Sequence, residues 1–423
     1  MKTLILDLTH GGEVLARAYA GRGDDVTAVD IYRTSTAELR DGLGAMGVRV
    51  LEASPPEPFD LGVAPIHCPD RFYGEAKCAE RITHHQAVGE LTSFPFPVVE
   101  VTGAHGKTSA CQLIARMLAD QGRKVLLLTS GGLGMVDADG ARMLRDKVSI
   151  APPTVLDIAQ ARYDADVGVF EVSLGGTGAS VSVITTIGND YAIAGGTRRA
   201  FDGKVQMIRS SQGTVIFPEE ERKLWEPHVP SGKTVTFGPG GNVQIEIDEL
   251  HLGQKARLRL RAGGETASAQ LRGSYLVPAY RTAFGAAAAA AWSLGASVEA
   301  IAGTLGSFEG AKGRGEVSGE GGNILVRDRN PGVSAASIAW NLQCLDAYGC
   351  RDIGVAIEPV SLKVCEKLDL AAVRSVANEH SAVTDLYIMP PGGERDGFSA
   401  IGSIDEVRKR HQVTLWCTKE GYL

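Results

Sequence analysis

One stretch constrains this chain more than any other: Val98-Val99-Glu100-Val101-Thr102-Gly103-Ala104-His105-Gly106-Lys107-Thr108-Ser109. Its valine-rich start reads as a strand buried on both faces, because β-branched residues suit a pleated surface and no polar alternation marks a wet side. Two glycines then open a loop. After it, Ala110, Leu113, Ile114, Met117 and Leu118 recur at helical spacing until Gln121-Gly122. A glycine loop at a helix N-terminus offers bare backbone N–H groups to an anion, so the order strand, loop, helix predicts phosphate binding. Lys107 supplies a cation for the β- and γ-phosphates, and the Thr108 hydroxyl can ligate Mg²⁺. The first glycine of G-x-x-x-x-G-K-[ST] is missing, since Val101 holds its place; a chance G-x-x-G-K-T is the competing reading. The setting favours a nucleotide, with Gly103, Ala104, His105, Gly106, Lys107, Thr108 and Ser109 as the binding residues.

Composition removes several function classes. The 423 residues carry 43 Lys and Arg against 50 Asp and Glu, a net charge of −7 with 44% hydrophobic residues. That balance argues against a disordered chain and against a basic nucleic-acid binder. Aromatics at 6% are too sparse for stacking platforms along single strands. No apolar run approaches the roughly 18 residues of a membrane helix. The opening MKTLILDLTHGG shows no cleavage pattern, so a cytoplasmic protein is expected. Seven cysteines without a C-x-x-C pair fit a reducing compartment and give no support to a structural zinc site.

The segments on either side also alternate strand and helix. Residues 4–8 (LILDL) predict a short buried strand, Gly11-Gly12 a turn, residues 13–19 a helix and residues 25–30 a second strand. This is a Rossmann-like pattern, although T-H-G-G lacks the third glycine of G-x-G-x-x-G. Pro95 and Pro97 set a first boundary. Strands at 124–129, 167–172 and 181–186 predict a parallel sheet covered by helices. Residues 231–275 predict a small antiparallel insertion, and 278–294 and 298–305 two helices. Glycines between 310 and 322 mark a second boundary. Further strands are expected near 324–326, 353–357, 386–389 and 413–416. The expected domains are 1–93, 94–318 and 319–423.

The shortened loop G-A-H-G-K-T-S resembles the G-T-N-G-K-[ST] loop of the Mur ligase family. Phe170-Glu171-Val172-Ser173 resembles that family's E-x-S motif, and Thr129-Ser130 ends a strand where members place a hydroxyl near the metals. Lys204, in F-D-G-K-V-Q-M-I, resembles the A-K-x-x-I lysine. Residues 308–316 (FEGAKGRGE) resemble F-x-G-x-x-x-R-x-E. The likeness covers about 94–318. It implies a three-domain α/β ligase: a Rossmann-like N-terminal domain, a central P-loop ATPase domain with a small antiparallel sheet, and a Rossmann-like C-terminal domain. It further implies ATP and Mg²⁺ as cofactors, with Thr108, Ser130 and Glu171 at the metal and Arg314 near ATP. Lys204, carbamoylated in many members, would hold a second Mg²⁺. Each has a plainer alternative: Glu171 as a strand cap, Lys204 as a solvated charge, Arg314 as a loop anchor. Some positions depart from the family. Asn189-Asp190-Tyr191 replaces a D-H pair, leaving Asp190 as an oxygen ligand without its histidine. Thr282 stands where an adenine-contacting Asn is usual. Asp328, in D-R-N-P, is a ribose contact or lies two positions out of register.

Three histidine-bearing segments set this chain apart from muropeptide ligases: residues 8–12 (LTHGG), 65–69 (PIHCP) and 82–89 (ITHHQAVG). With V-T-G-A-H-G-K-T-S and F-E-V-S-L-G-G-T-G, they resemble the branch of the family that acts on a nickel tetrapyrrole. That resemblance implies a cyclo-ligase, which activates a side-chain carboxylate of a seco-acid precursor as an acyl phosphate. A ring-system carbon then attacks, closing a six-membered carbocyclic ketone. His10, Gly11, Gly12, His67, His84 and His85 become candidates for touching the small-molecule substrate, which carries Ni²⁺; the alternative is that they are loop or helix-end residues. Neighbouring His84 and His85 cannot both face one ligand from a helix. No nucleic-acid or membrane partner is expected. Two other functions fit the motifs: an amide ligase acting on a muropeptide, folate or polymer, and a non-catalytic nucleotide-binding regulator.

Overall fold

A computed structural model describes residues 1–423 except 189, 231, 320–322, 331, 359–367, 391–396 and 420–423. Asn189, Pro331 and Cys365 therefore lie outside the described residues. The chain forms two compact units, Met1–Gln244 with Thr282–Ile301, and Ile245–Arg281 with Ala302–Leu423.

The first unit opens with β1 (Lys2–Leu6), α1 (Glu13–Gly21), β2 (Asp25–Val29), α2 (Ala37–Gly44), β3 (Arg49–Leu51), β4 (Pro58–Ala64), β5 (Lys77–Thr83) and α3 (His84–Leu91). The five strands make a parallel sheet in the order β3-β2-β1-β4-β5. β1 stops two residues before the predicted strand end. Asp7 leaves it at a left-handed φ of 74°, and Leu8–Gly12 form a tight turn around the Asp7 carboxylate, which accepts from the His10 amide. Thr83 caps α3 through a reciprocal box with Gln86.

A second parallel sheet carries the glycine loop. Its elements are β6 (Val98–Thr102), α4 (Lys107–Ala119), β7 (Val125–Thr129), β8 (Gly132–Asp137), β9 (Gly140–Arg145), α5 (Pro152–Ala161), β10 (Val167–Glu171) and β11 (Val181–Ile184). They are followed by β12 (Ala192–Ile193), β13 (Arg198–Arg199), α6 (Ala200–Ser210), β14 (Thr214–Pro218), α7 (Arg222–Trp225), β15 (Thr234–Phe237) and α8 (Arg281–Ser293). β15-β14-β11-β6-β10-β7 run in parallel, and β8 and β9 extend the edge antiparallel. β6, β10 and β11 are buried at every residue, as unbroken apolar runs require when helices cover both faces. The β8–β9 hairpin was not foreseen, because its strands are glycine-rich and arginine-bearing rather than evenly alternating. Residues 286–291, all alanine, are wholly buried. Small side chains let α8 approach closely: a Cβ on Gly285 would sit 2.5 Å from the Phe237 ring.

The second unit contains the antiparallel hairpin of β17 (Ala256–Ala262) and β18 (Glu265–Leu271), preceded by β16 (Val243–Asp248). Its own sheet runs β19-β20-β24-β21-β22-β23. These strands are Glu316–Ser318, Ile324–Asn330, Val413–Lys419, Ile353–Glu358, Val383–Ile388 and Ser399–Ala400, all parallel but the first. α10 (Ala335–Ala347) and α11 (Leu370–Asn378) cover it, after α9 (Val298–Ser307). Among the described residues, no helix is long and apolar enough to cross a membrane.

Glu100 sits in the middle of β6, fully buried, and accepts from the Thr177 amide (3.1 and 2.9 Å) and hydroxyl (2.6 Å). Burial raises its pKa, and the Thr177 bonds oppose that only in part. The folded chain thus holds a proton that the unfolded chain has released. This contribution is complete below the unfolded carboxylate pKa and is lost as pH rises through the folded one. Glu100→Gln should remove that loss, so denaturant titrations should show the variant gaining on the parent as pH rises above the carboxylate range.

Candidate functional site

The loop between β6 and α4 needs both its glycines. Gly103 has φ 144°, and a Cβ there would stand 2.0 Å from Thr185 Oγ1. Gly106 caps α4 with φ 78°. Because β6 lies between β10 and β11, the loop is held by both neighbours. Thr185 donates its hydroxyl proton to the His105 carbonyl (2.6 Å), and the Ala104 amide donates to Thr186 O (2.9 Å). Thr186 and the Ile187 amide in turn donate to Glu221, which also accepts from Trp225 Nε1 (2.7 Å). Thr185, Thr186 and Glu221 carry no motif, and only their place beside the loop reveals them.

Lys107 starts α4 and donates from Nζ to Gly103 O at 2.9 Å. Thr108 donates its hydroxyl proton to Glu171, 3.1 and 2.9 Å from the two carboxylate oxygens. The Ser130 amide donates to Glu171 Oε2 (3.1 Å). Glu171, 4% exposed, thus joins the carboxyl ends of three strands: its own β10, β6 through Thr108, and β7 through Ser130. Among the described residues no Lys or Arg pairs with it. This oxygen-rich donor set fits Mg²⁺, which prefers one or two carboxylates and a hydroxyl. His105 is pushed down by burial, Lys107 reinforcing and Glu221 opposing. Ser109 is buried.

Lys204 is not the solvated charge of the plainer alternative. It lies on α6 at 2% exposure, and its pKa is lowered by burial and then by Lys107, against Asp190 and Glu221. α6 packs closely on the segment after β10: Gln206 bonds both Gly176 N (2.8 Å) and Gly176 O (3.0 Å), and Gly203 meets Leu174 and Gly175. Asp190 is engaged by Arg199 and by the Phe201 amide (2.8 Å), so its carboxylate anchors the start of α6. Burial raises its pKa, but Arg199 and the Phe201 amide more than offset that. Thr282 opens α8 beside Ala283, the residue a Cβ on Gly106 would face at 3.6 Å.

Of the candidate histidines, His10 and His67 come together, with ring centroids 5.1 Å apart, and His10 Nδ1 lies 2.6 Å from Asp7 Oδ2. Burial and then His10 lower the His67 pKa. Gly12 is required by the turn, since a Cβ would meet Asp7 O at 2.4 Å, and Gly11 has φ 87° beside Pro153. His84 and His85 lie in the interior at 1% and 4% exposure, close enough to feel the charge of His67 and, for His84, of His10. His84 donates from Nε2 to Leu6 O, whereas both ring nitrogens of His85 are buried with no hydrogen-bond partner among the described residues. Burial drives both imidazoles to about 3, so both are neutral. In the second unit, Asp328 is buried and accepts from Asn330 (2.8 Å) and Asn341 (2.9 Å), and burial raises its pKa. The Arg314 carbonyl accepts from Tyr280 Oη (3.0 Å).

No family model matches the chain. It is 33% identical over 367 residues to the coenzyme F(430) synthetase of Methanosarcina acetivorans, covering 79% of this chain and 78% of that protein. To the coenzyme F(430) synthetase of Methanocaldococcus jannaschii it is 28% identical over 231 residues, 50% of this chain and 51% of the other. The MurF ligase of Thermotoga maritima, solved in complex with ADP, shares its fold with a TM-score of 0.58 at 14% identity, covering 87% of this chain and 92% of that one. A glycine loop in a parallel sheet, in an α/β chain with these relatives, defines an ATP-dependent ligase of the Mur type. Within that class, the chain belongs to the coenzyme F(430) synthetase family.

The two glycines separate packing from conformation. Gly103→Ala, strained and in collision with Thr185, should cost of order 1–3 kcal/mol and weaken ADP binding. Gly106→Ala meets only Ala283 at contact distance, so its cost should be the left-handed penalty alone, about 1–2 kcal/mol. Thermal unfolding with and without ADP would rank the two, and equal effects would contradict the collision.

Proposed function

We propose that this ligase uses ATP to activate a side-chain carboxylate of a nickel tetrapyrrole and closes a carbocyclic six-membered ketone ring, yielding coenzyme F430. The observation that carries the reading is the Glu171 carboxylate shared by Thr108 and Ser130 at the mouth of the glycine loop, in a chain 33% identical to a coenzyme F(430) synthetase. Glu171 and Thr108 would hold Mg²⁺, whose contribution when bound is to neutralise phosphate charge. The backbone amides at the start of α4 and the Lys107 ammonium would bind the transferring phosphoryl group, where negative charge grows in the transition state.

A carboxylate is a poor electrophile. Its oxygen would take the γ-phosphoryl group and release ADP. The acyl carbon would then form a bond to a ring-system carbon as phosphate leaves with the electron pair of the C–O bond. The C–H proton of the attacking carbon would pass to a base. Burying the carboxylate beside the loop would keep water from the acyl phosphate. The Lys204 amine, biased toward its neutral form by burial and Lys107, is suited to capture CO₂ as a carbamate, whose anion would add oxygen donors beside the loop.

Incubation with ATP, Mg²⁺ and the seco-acid tetrapyrrole should give a product lighter by one water with no amine consumed; an amide ligase would instead require an amine stoichiometrically. Lys107→Ala should lower ADP formation at least about 100-fold, the usual loss for one transition-state donor. Turnover should also fall in CO₂-depleted buffer and recover with bicarbonate, and Lys204→Gln should abolish that response.

A further inference from the structure

In the first sheet, the order β3-β2-β1-β4-β5 reverses direction between β1 and β4. In an open parallel sheet, this switch point leaves a crevice beyond the carboxyl ends of the two strands, where ligands bind. Asp7 and His10 follow β1 directly, and His67 follows β4. The β1–β4 pairing therefore brings together side chains 57 to 60 positions apart in sequence at the mouth of that crevice.

Each of the three offers one ligand atom, and these atoms all lie within 4.8 Å of one another. Nitrogen and oxygen ligands on one tetrahedral cation stand roughly 3.4 Å apart, so closing the cluster on an ion needs shifts of about 1 Å. Asp7 is completely buried, and among the described residues its carboxylate has no Lys or Arg partner, only His10. A buried carboxylate in that situation is stabilised by a cation. His67 has no hydrogen-bond partner among the described residues, and its ring meets His10 edge-on at 87°. The His10 side chain is 47% exposed, so the cluster opens to solvent on one side. Imidazole nitrogens select zinc, nickel and their neighbours over magnesium and calcium.

We propose that Asp7, His10 and His67 form a binding site for a late first-row divalent cation, separate from the oxygen-lined site at Thr108 and Glu171. The open side accommodates either a free ion or a metal already held in a planar chelate with a vacant axial position. The inference rests on the first sheet alone and stands whether or not the ring-closing reaction is correct.

The test uses tag-free full-length protein treated with chelator and held in excess Mg²⁺, titrated calorimetrically with Ni²⁺ and with Zn²⁺, without ATP or tetrapyrrole. One equivalent should bind per chain. His67→Gln and His10→Gln should each weaken binding at least about tenfold, the loss seen even for residues that only orient a ligand. Circular dichroism of each variant checks that it is folded, and one folded variant is enough to decide the outcome. A nickel tetraaza-macrocycle with free axial positions forms the second arm: binding that depends on the same histidines identifies chelated metal as the ligand, and binding of the ion alone identifies free metal, both upholding the site. Absence of a bound equivalent in the parent, or parental affinity in the folded variants, would overturn it.

Discussion

The bond from Thr108 to Glu171 ties the start of the loop helix to the end of a neighbouring strand, and the geometry of the glycine loop depends on it. Thr108 stands one residue into α4, directly after the amides that would meet a phosphate. Glu171 ends β10, and the Ser130 amide restrains its carboxylate from the β7 side. The segments that follow β6 and β7 therefore converge on one buried carboxylate at the end of β10. Among the described residues that carboxylate has no Lys or Arg partner, only hydrogen-bond donors.

The opposite flank is built from hydrogen bonds. Thr185 fills the space a Gly103 side chain would need, and its hydroxyl holds the His105 carbonyl. Glu221 collects three donors behind it, including the Trp225 indole. The loop is consequently fixed by β11 on one side and by β10 on the other, and Lys107 bends across its own turn to Gly103. Lys204 approaches from α6, kept close by Gln206 and by the absence of a side chain at Gly203.

Much of this was legible in the residues. The strand, loop and helix around 98–119 fall where the valine run, the glycines and the apolar spacing place them; Thr108 meets Glu171, and Lys107 turns back to Gly103. What was not legible had no local signature. The burial of Lys204 depends on α6 lying against the segment after β10, which a lone lysine in an amphipathic helix does not disclose. Asp190 stood as a candidate oxygen ligand without its histidine, and only the fold shows Arg199, nine residues later, engaging it. His84 and His85 stood as candidate substrate contacts of which a helix could present at most one to a ligand; their shared burial at the start of α3, which the Thr83–Gln86 box caps, is visible only in the fold.

By itself the sequence determined a parallel α/β scaffold and a glycine loop between strand and helix, because strand burial, glycine conformations and helix periodicity are properties of short windows. It also carried enough motif to mark a Mur-type ligase. The tertiary structure alone decided which charged groups meet, since those encounters follow from strand order. Asp7 and His10 reach His67 only because β1 lies beside β4, and Glu171 reaches Thr108 only because β10 lies beside β6. Pairing of distant strands is a non-local choice, and no window of residues contains it.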